Sequence, residues 1–252
     1  MHKYLIETAL LGQGLASISD QEILSNWHYP QAQLVWIISG EIKIGTLEDF
    51  LPLRQKADQL SRIDASSLSQ AITEKATGVL TASATMAVCS QEQILLAVTC
   101  GMGGIGPKPT NKIGSDLLAL RQWPIALIAA APKDVFDLPA TLAWLHDNGI
   151  IVVGANSDIC DGFLIHDTAY KLDGQINQLT NISHLLILNG LAKRPVTNEI
   201  LLNAMKAGEH AEQQGKYYHP TVNQKLDEDT CGLSSREQLK GLLANIALAE
   251  QL

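Results

Sequence analysis

Short runs of β-branched and aliphatic residues recur at positions 34–39, 94–100, 125–131, 150–154 and 184–189. Between them, at 65–75, 78–90, 114–121, 138–148 and 198–214, the apolar positions repeat at helical spacing. Strands that are apolar throughout and alternate with amphipathic helices predict a mainly parallel central sheet covered on both faces. The expected fold class is therefore α/β, a three-layer α/β/α sandwich. Thr197 suits the N-cap of the helix that ends before Gly215. Leu239, Leu242, Leu243, Ile246 and Leu248 form a packing stripe on a last helix over 234–252. The segments 158–174 and 215–232 follow neither period and read as mostly loop.

No repeat, low-complexity stretch or linker divides the 252 residues, so one α/β domain over 1–252 is expected. A net charge of −8 argues against a nucleic-acid backbone as partner. The apolar runs fall short of the roughly 20 residues a membrane span needs, and residues 1–16 carry no export or organelle pattern. The cytoplasm is the expected compartment. Cys89, Cys100, Cys160 and Cys231 are scattered, with no C-x-x-C pair or histidine at zinc spacing, and read as reduced, buried thiols. The seven histidines fall into no catalytic pattern and read as surface or structural.

Lys133 changes the picture. It follows the apolar run 125–131 and precedes a helical stretch, which places it at the carboxyl edge of a parallel sheet, where open α/β folds bind ligands. Desolvation there lowers an amine's pKa toward that of a working nucleophile. A strand-end lysine that snorkels its head to water is the plain alternative. Thr99-Cys100-Gly101-Met102-Gly103-Gly104-Ile105-Gly106-Pro107 also follows an apolar run, and its glycines would let backbone N–H groups approach an anion. It lacks the Lys-Ser/Thr ending of a Walker loop, and a structural turn remains the alternative. The run 78–86, with Thr81, Ser83 and Thr85, offers further donors, unless Thr81 serves only to cap a helix.

Several of these stretches together resemble the pseudouridine-5'-phosphate glycosidases, a family that includes indigoidine-cluster proteins and C-nucleoside synthases. Residues 78–86 (GVLTASATM) resemble the family's G-G-T-T-V-A-A-T-M, and Thr99 to Gly104 resemble T-G-G-x-G-G. Ser115-Asp116-Leu117 resembles A-D-L, residues 131–142 (APKDVFDLPATL) resemble A-x-K-S-I-L-D-I-P-K-T-L, and residues 151–154 (IVVG) resemble P-V-V-G-Y. The spacing from Asp116 to Lys133 agrees without a gap, and Ile6-Glu7-Thr8 sits where the family has L-E-S-T.

The resemblance implies reversible cleavage of the C–C glycosidic bond between a base and ribose 5-phosphate. Such a bond has no heteroatom leaving group, so protonating an oxygen or nitrogen does not suffice. It implies that Lys133 opens the sugar and forms an imine at the anomeric carbon, and that Glu7 is the general acid. It further implies substrate contacts from Gln59, Thr81, Ala82, Thr99, Gly101, Gly103, Gly104, Gly114, Ser115, Asp116 and Asn245. The partner implied is a small nucleoside or sugar phosphate, and the implied assembly is a homotrimer.

Five departures bear on these expectations. The family's Mn²⁺-ligand aspartate falls on Lys112, which cannot ligate a cation, so no metal cofactor is expected and Lys112 would supply the positive charge. A phosphate-contacting lysine falls on Gln59, in residues 59–64 (QLSRID) against K-V-S-R-R-D. Two family histidines fall on Gly106 and Gln13, and a carboxyl-terminal asparagine falls on Gln238, while Asn245 matches a later asparagine. Related chemistry on an altered substrate is the expectation. The alternative is a descendant that binds a nucleotide or sugar phosphate without turnover.

Overall fold

The computed structural model describes residues 4–109, 111–176 and 183–252. Among these residues the main sheet has ten strands. From one edge they run Gly174–Gln175, Ile151–Gly154, Leu185–Leu188, Ala126–Ala129, Leu96–Val98, Tyr4–Ile6, Leu34–Ile38, Gly78–Leu80 and Ser61–Ile63. Glu41–Gly45 pairs antiparallel with Leu34–Ile38. Tyr4–Ile6, Leu96–Val98, Ala126–Ala129 and Leu185–Leu188 are buried at every position, with no alternation of inward and outward residues. That is the signature of a sheet covered by helices on both faces, the α/β/α arrangement.

Pairing is parallel from Gly174–Gln175 as far as Leu34–Ile38. The direction then reverses: Gly78–Leu80 runs antiparallel to Leu34–Ile38, and Ser61–Ile63 follows Gly78–Leu80 in parallel. Ile6 is level with Leu34, and Val79 with Trp36, so the two halves of the sheet point their carboxyl ends toward one place. The Thr8 amide closes the junction by donating to the Leu80 carbonyl at 3.2 Å. Polar side chains that follow strands in either half therefore converge.

The apolar run 78–90 divides into strand Gly78–Leu80 and helix Ala82–Gln91. Ala82 through Cys89 are all buried, so this helix has no polar face and its period cannot mark the boundary. Thr197 caps Asn198–Gln213 as expected, accepting from the Ile200 amide at 3.3 Å. Helix Leu233–Gln251 is close to the expected tail helix. The segment read as loop over 215–232 instead holds helix Tyr218–Asp229. Pro220 stands in its first turn, where a missing N–H costs nothing, and Val222 and Leu226 are its buried apolar positions. Cys89, Cys100 and Cys160 are buried as expected, whereas Cys231 is exposed. No helix among the described residues is long and apolar enough to cross a membrane.

Candidate active site

Lys133 is set in place by backbone. Beyond strand Ala126–Ala129 the chain makes a short parallel pair, Ala131–Pro132 against Gly101–Met102, and the Lys133 amide donates to the Met102 carbonyl at 3.0 Å. The glycine-rich turn is thus the bed on which the lysine rests. A Cβ on Gly101 would stand 2.6 Å from the Phe163 ring and 3.0 Å from Lys133 Cγ, so a side chain there would push the amine out of position. Burial, and then the Arg62 guanidinium, push the Lys133 amine below the ordinary lysine range, while Glu7 and Asp116 oppose the shift.

Glu7 directly follows the central strand Tyr4–Ile6 and is only 5% exposed. The Thr99 hydroxyl donates to Glu7 Oε1 at 2.5 Å. Burial pushes the Glu7 carboxyl up, against the pull of Lys133, the Thr99 hydrogen bond and Arg62. Burial thus weakens the hold of Lys133 on its proton and strengthens that of Glu7, the directions that suit a nucleophile and an acid.

Above this pair opens a cavity of about 660 Å³. Of the residues expected to contact substrate, Thr81, Gly103, Gly114, Ser115 and Asp116 line it together with Lys133. Lys112 and Gly106 line it as well. Asp116 braces two walls, one oxygen accepting from the Ser83 amide at 2.8 Å and the other from the Gly103 amide at 2.7 Å. Ser115 donates to Asp64 at 2.8 Å, joining the start of helix Ser115–Gln122 to the loop after Ser61–Ile63. Thr81 takes the N-cap position of Ala82–Gln91 without capping it, and its hydroxyl pairs instead with that of Ser83 at 3.0 Å.

The other expected residues stand apart from the lining. Glu7 and Thr99 are buried outside it, Ala82 is buried as the first residue of its helix, and Gly104 packs against Thr141 and Phe136. Asn245 is fully buried and committed to protein partners, donating to the Thr99 carbonyl at 2.6 Å and accepting from Asn189 at 3.1 Å. It holds the Thr99 backbone, and through it the Glu7 partner. Gln59 is exposed and does not line the cavity.

Several lining residues were not expected. Arg62 projects from the edge strand Ser61–Ile63, and its guanidinium has no hydrogen-bond partner among the described residues. Phe136 lies just past Lys133, while Tyr217, Tyr218 and His219 come from the start of the helix that had read as loop. His219, expected like the other histidines to be surface or structural, lines the cavity. The Q-L-S-R-I-D stretch contained the signal for Arg62, a cation beside apolar strand residues.

The resemblance implies Mn²⁺ beside Asp116, and the residues present do not fit that ion. Lys112 brings an ammonium, and both Asp116 oxygens already accept backbone N–H groups. Among the described residues no group of three or more His, Cys, Asp or Glu is placed to hold a metal.

Asp134, next to the lysine, fixes the wall behind it. Its carboxylate accepts from the amides of Phe163, Leu164 and Ile165 at 2.8, 2.7 and 3.2 Å, which seats Phe163 against Gly101. Burial nevertheless outweighs these bonds and pushes the carboxyl up to about 6. A raised carboxyl pKa means that the folded state holds the proton more tightly than the unfolded chain. This stabilisation is full below the unfolded value near 3.8 and is lost as pH rises through about 6. Urea unfolding between pH 4 and 7 should show wild type losing up to ~3 kcal/mol relative to Asp134→Asn. Parallel pH profiles for the two proteins would contradict this assignment.

The fold and the site define a class: α/β proteins in which a desolvated lysine and a buried acid meet beneath a small-molecule cavity at the carboxyl ends of a mostly parallel sheet. The chain belongs to the indigoidine synthase A-like protein family, whose profile matches residues 16–252. It is similar to a pseudouridine-5'-phosphate glycosidase of Glaesserella parasuis serovar 5, 29% identical over 236 residues that span 86% of this chain and 78% of the relative. A pseudouridine-5'-phosphate glycosidase of Staphylococcus aureus is 27% identical over 94% of this chain and 80% of its own length. Among solved structures, an indigoidine synthase A-like protein from Thermotoga maritima superposes with a TM-score of 0.84 at 20% identity, over 99% of this chain and 91% of that one. A prealnumycin C-glycosynthase in complex with ribulose 5-phosphate gives 0.73 at 17% identity, over 97% and 88%. The two structural likenesses bear on the fold alone.

Proposed function

We propose that this chain is an enzyme that reversibly cleaves or forms the C–C bond between a base and ribose 5-phosphate, or a related sugar phosphate, through an imine on Lys133. The observation that carries this reading is the placement of Lys133 in the cavity lining with Glu7 buried nearby, where burial lowers the amine's pKa and raises the carboxyl's. In the cleavage direction the Lys133 amine adds to the anomeric carbon, and the ring C–O bond breaks with its oxygen taking the proton that the attacking nitrogen gives up. The C–C bond to the base then breaks. Its electron pair stays on the base carbon, which takes the proton from Glu7, while the lysine nitrogen supplies the pair that makes the C=N bond. Water hydrolyses the imine and releases the sugar phosphate and the free amine.

The cations Arg62 and Lys112 and the hydroxyls of Thr81 and Ser115 suit an anionic, polyhydroxylated ligand. With Lys112 supplying the charge, turnover requires no Mn²⁺. Release of base from pseudouridine 5'-phosphate is expected without added metal, to exceed that from unphosphorylated pseudouridine, and to fall about tenfold in Lys112→Ala. Metal-free turnover undiminished in Lys112→Ala would remove Lys112 from this role. No base release, together with no borohydride-trapped adduct from any pentose or pentose phosphate, would overturn the reading as a whole.

The exposure of Gln59 and the ammonium at Lys112 favour a second reading, a relative that binds a nucleotide or sugar phosphate without turnover. Saturable binding with no product, unchanged in Lys133→Met, would establish it.

A further inference from the structure

His219 enters the Lys133 cavity from the first turn of helix Tyr218–Asp229. Its ring centroid lies 5.7 Å from that of Phe136 and 5.3 Å from that of Tyr218, the latter edge to face. Aromatic neighbours on two sides restrict the ring's tilt. The Tyr217 hydroxyl accepts from the Arg62 amide at 3.3 Å, which ties the start of the helix to strand Ser61–Ile63. Neither imidazole nitrogen has a hydrogen-bond partner among the described residues. The ring is therefore half-buried and packed, with its polar edge unclaimed.

Six charged side chains line the cavity, Asp64 and Asp116 among them. Lys133 comes from beyond its strand, Arg62 from the sheet edge, Lys112 from the loop before Ser115–Gln122, and Glu212 from helix Asn198–Gln213. Burial first, and then Lys133, Arg62 and Lys112, hold His219 well below the ordinary histidine value, so the ring is uncharged at neutral pH. A phosphate would find the three cations. A neutral imidazole has one donor and one acceptor, and a hydroxyl group can satisfy either of them.

We propose that His219 is a substrate-binding residue that hydrogen-bonds a hydroxyl group on the carbon chain of the sugar presented to Lys133. This rests on the reading of the cavity as a sugar-phosphate site and adds the residue that recognises the polyol part of the ligand. Arg62 and Lys112 are left to the anionic end.

The test is calorimetric binding of ribose 5-phosphate and of inorganic phosphate to wild type, His219→Phe and His219→Asn, run beside borohydride trapping of ribose 5-phosphate. His219→Phe keeps a ring between Phe136 and Tyr218 but removes both nitrogens; His219→Asn restores one donor and one acceptor. Ribose 5-phosphate should bind about tenfold more weakly to His219→Phe and regain part of the loss in His219→Asn, with inorganic phosphate unaffected. Equal affinity of wild type and His219→Phe for ribose 5-phosphate overturns the inference. So does an equal loss for both ligands, or no binding of ribose 5-phosphate to wild type. Should the phenylalanine variant not fold, ring ¹⁵N shifts of His219 in wild type decide: they move with ribose 5-phosphate and stay with inorganic phosphate, or the inference falls. Binding with the expected loss but no trapped adduct upholds His219 and removes the imine; trapping with unchanged affinity does the reverse.

Discussion

Lys133→Met should abolish the mass shift produced by borohydride and ribose 5-phosphate and lower turnover by at least about 10⁴-fold. Methionine preserves much of the volume against Gly101 and Phe163, so the wall of the cavity should survive. The variant should also unfold at a higher temperature than wild type at and below neutral pH. The reason is the direction of the Lys133 shift: a depressed amine pKa means that the folded state disfavours the charged form. This cost is absent only at a pH high enough for the unfolded chain's lysine to be neutral, and it is fully present below the depressed folded value. Methionine removes it. Activity and stability therefore move in opposite directions at one residue, as expected where a buried charge is kept for chemistry. An adduct that persists in Lys133→Met, located by peptide mass mapping to another lysine, would move the nucleophile elsewhere.

The legibility of Lys133 from sequence has a physical basis. The strand before it is buried on both faces and so writes itself as an unbroken apolar run, and the cation that ends the run stands out. The same holds for Leu185–Leu188 and for the α/β alternation as a whole. Where burial is complete on a helix, the signal fails: nothing in 78–90 marks the step from Leu80 to Ala82, because every position from Gly78 to Cys89 except Thr81 is buried. Arg62 and His219 were only weakly marked, for the opposite reason. Arg62 sits in a three-residue edge strand, too short to show a period, and His219 in a helix whose buried face mixes Val222 and Leu226 with Asn223 and Asp227. The reversal of strand direction beside Leu34–Ile38 brings Arg62 and Thr81 to the cavity with Lys133, and only the pairing register reveals it. Asn245 shows the limit of carrying a role across by motif, since here its amide is spent on Thr99 and Asn189.

Glu7→Gln should leave the adduct with ribose 5-phosphate intact while lowering kcat for base release by about 10²–10⁴-fold. Glutamine can still accept from the Thr99 hydroxyl, so Tyr4–Ile6 and the Thr99 backbone should keep their places, and only the transferable proton is lost. In the proposed mechanism Lys133 and Glu7 leave opposite marks on the pH profile. Lys133 attacks only when neutral, so the rate rises as pH climbs through its depressed value. Glu7 donates only when protonated, so the rate falls as pH climbs through its raised value. In Glu7→Gln the alkaline fall should therefore disappear and the acidic rise remain. The stability consequence follows from the same shift: a raised carboxyl pKa gives stabilisation that is full below the unfolded value and lost as pH rises through the folded one, so Glu7→Gln should melt above wild type at alkaline pH. If the residual activity kept its alkaline limb, the donor would be some group other than Glu7. Near-normal turnover in Glu7→Gln would place the acid outside the Thr99 pair altogether.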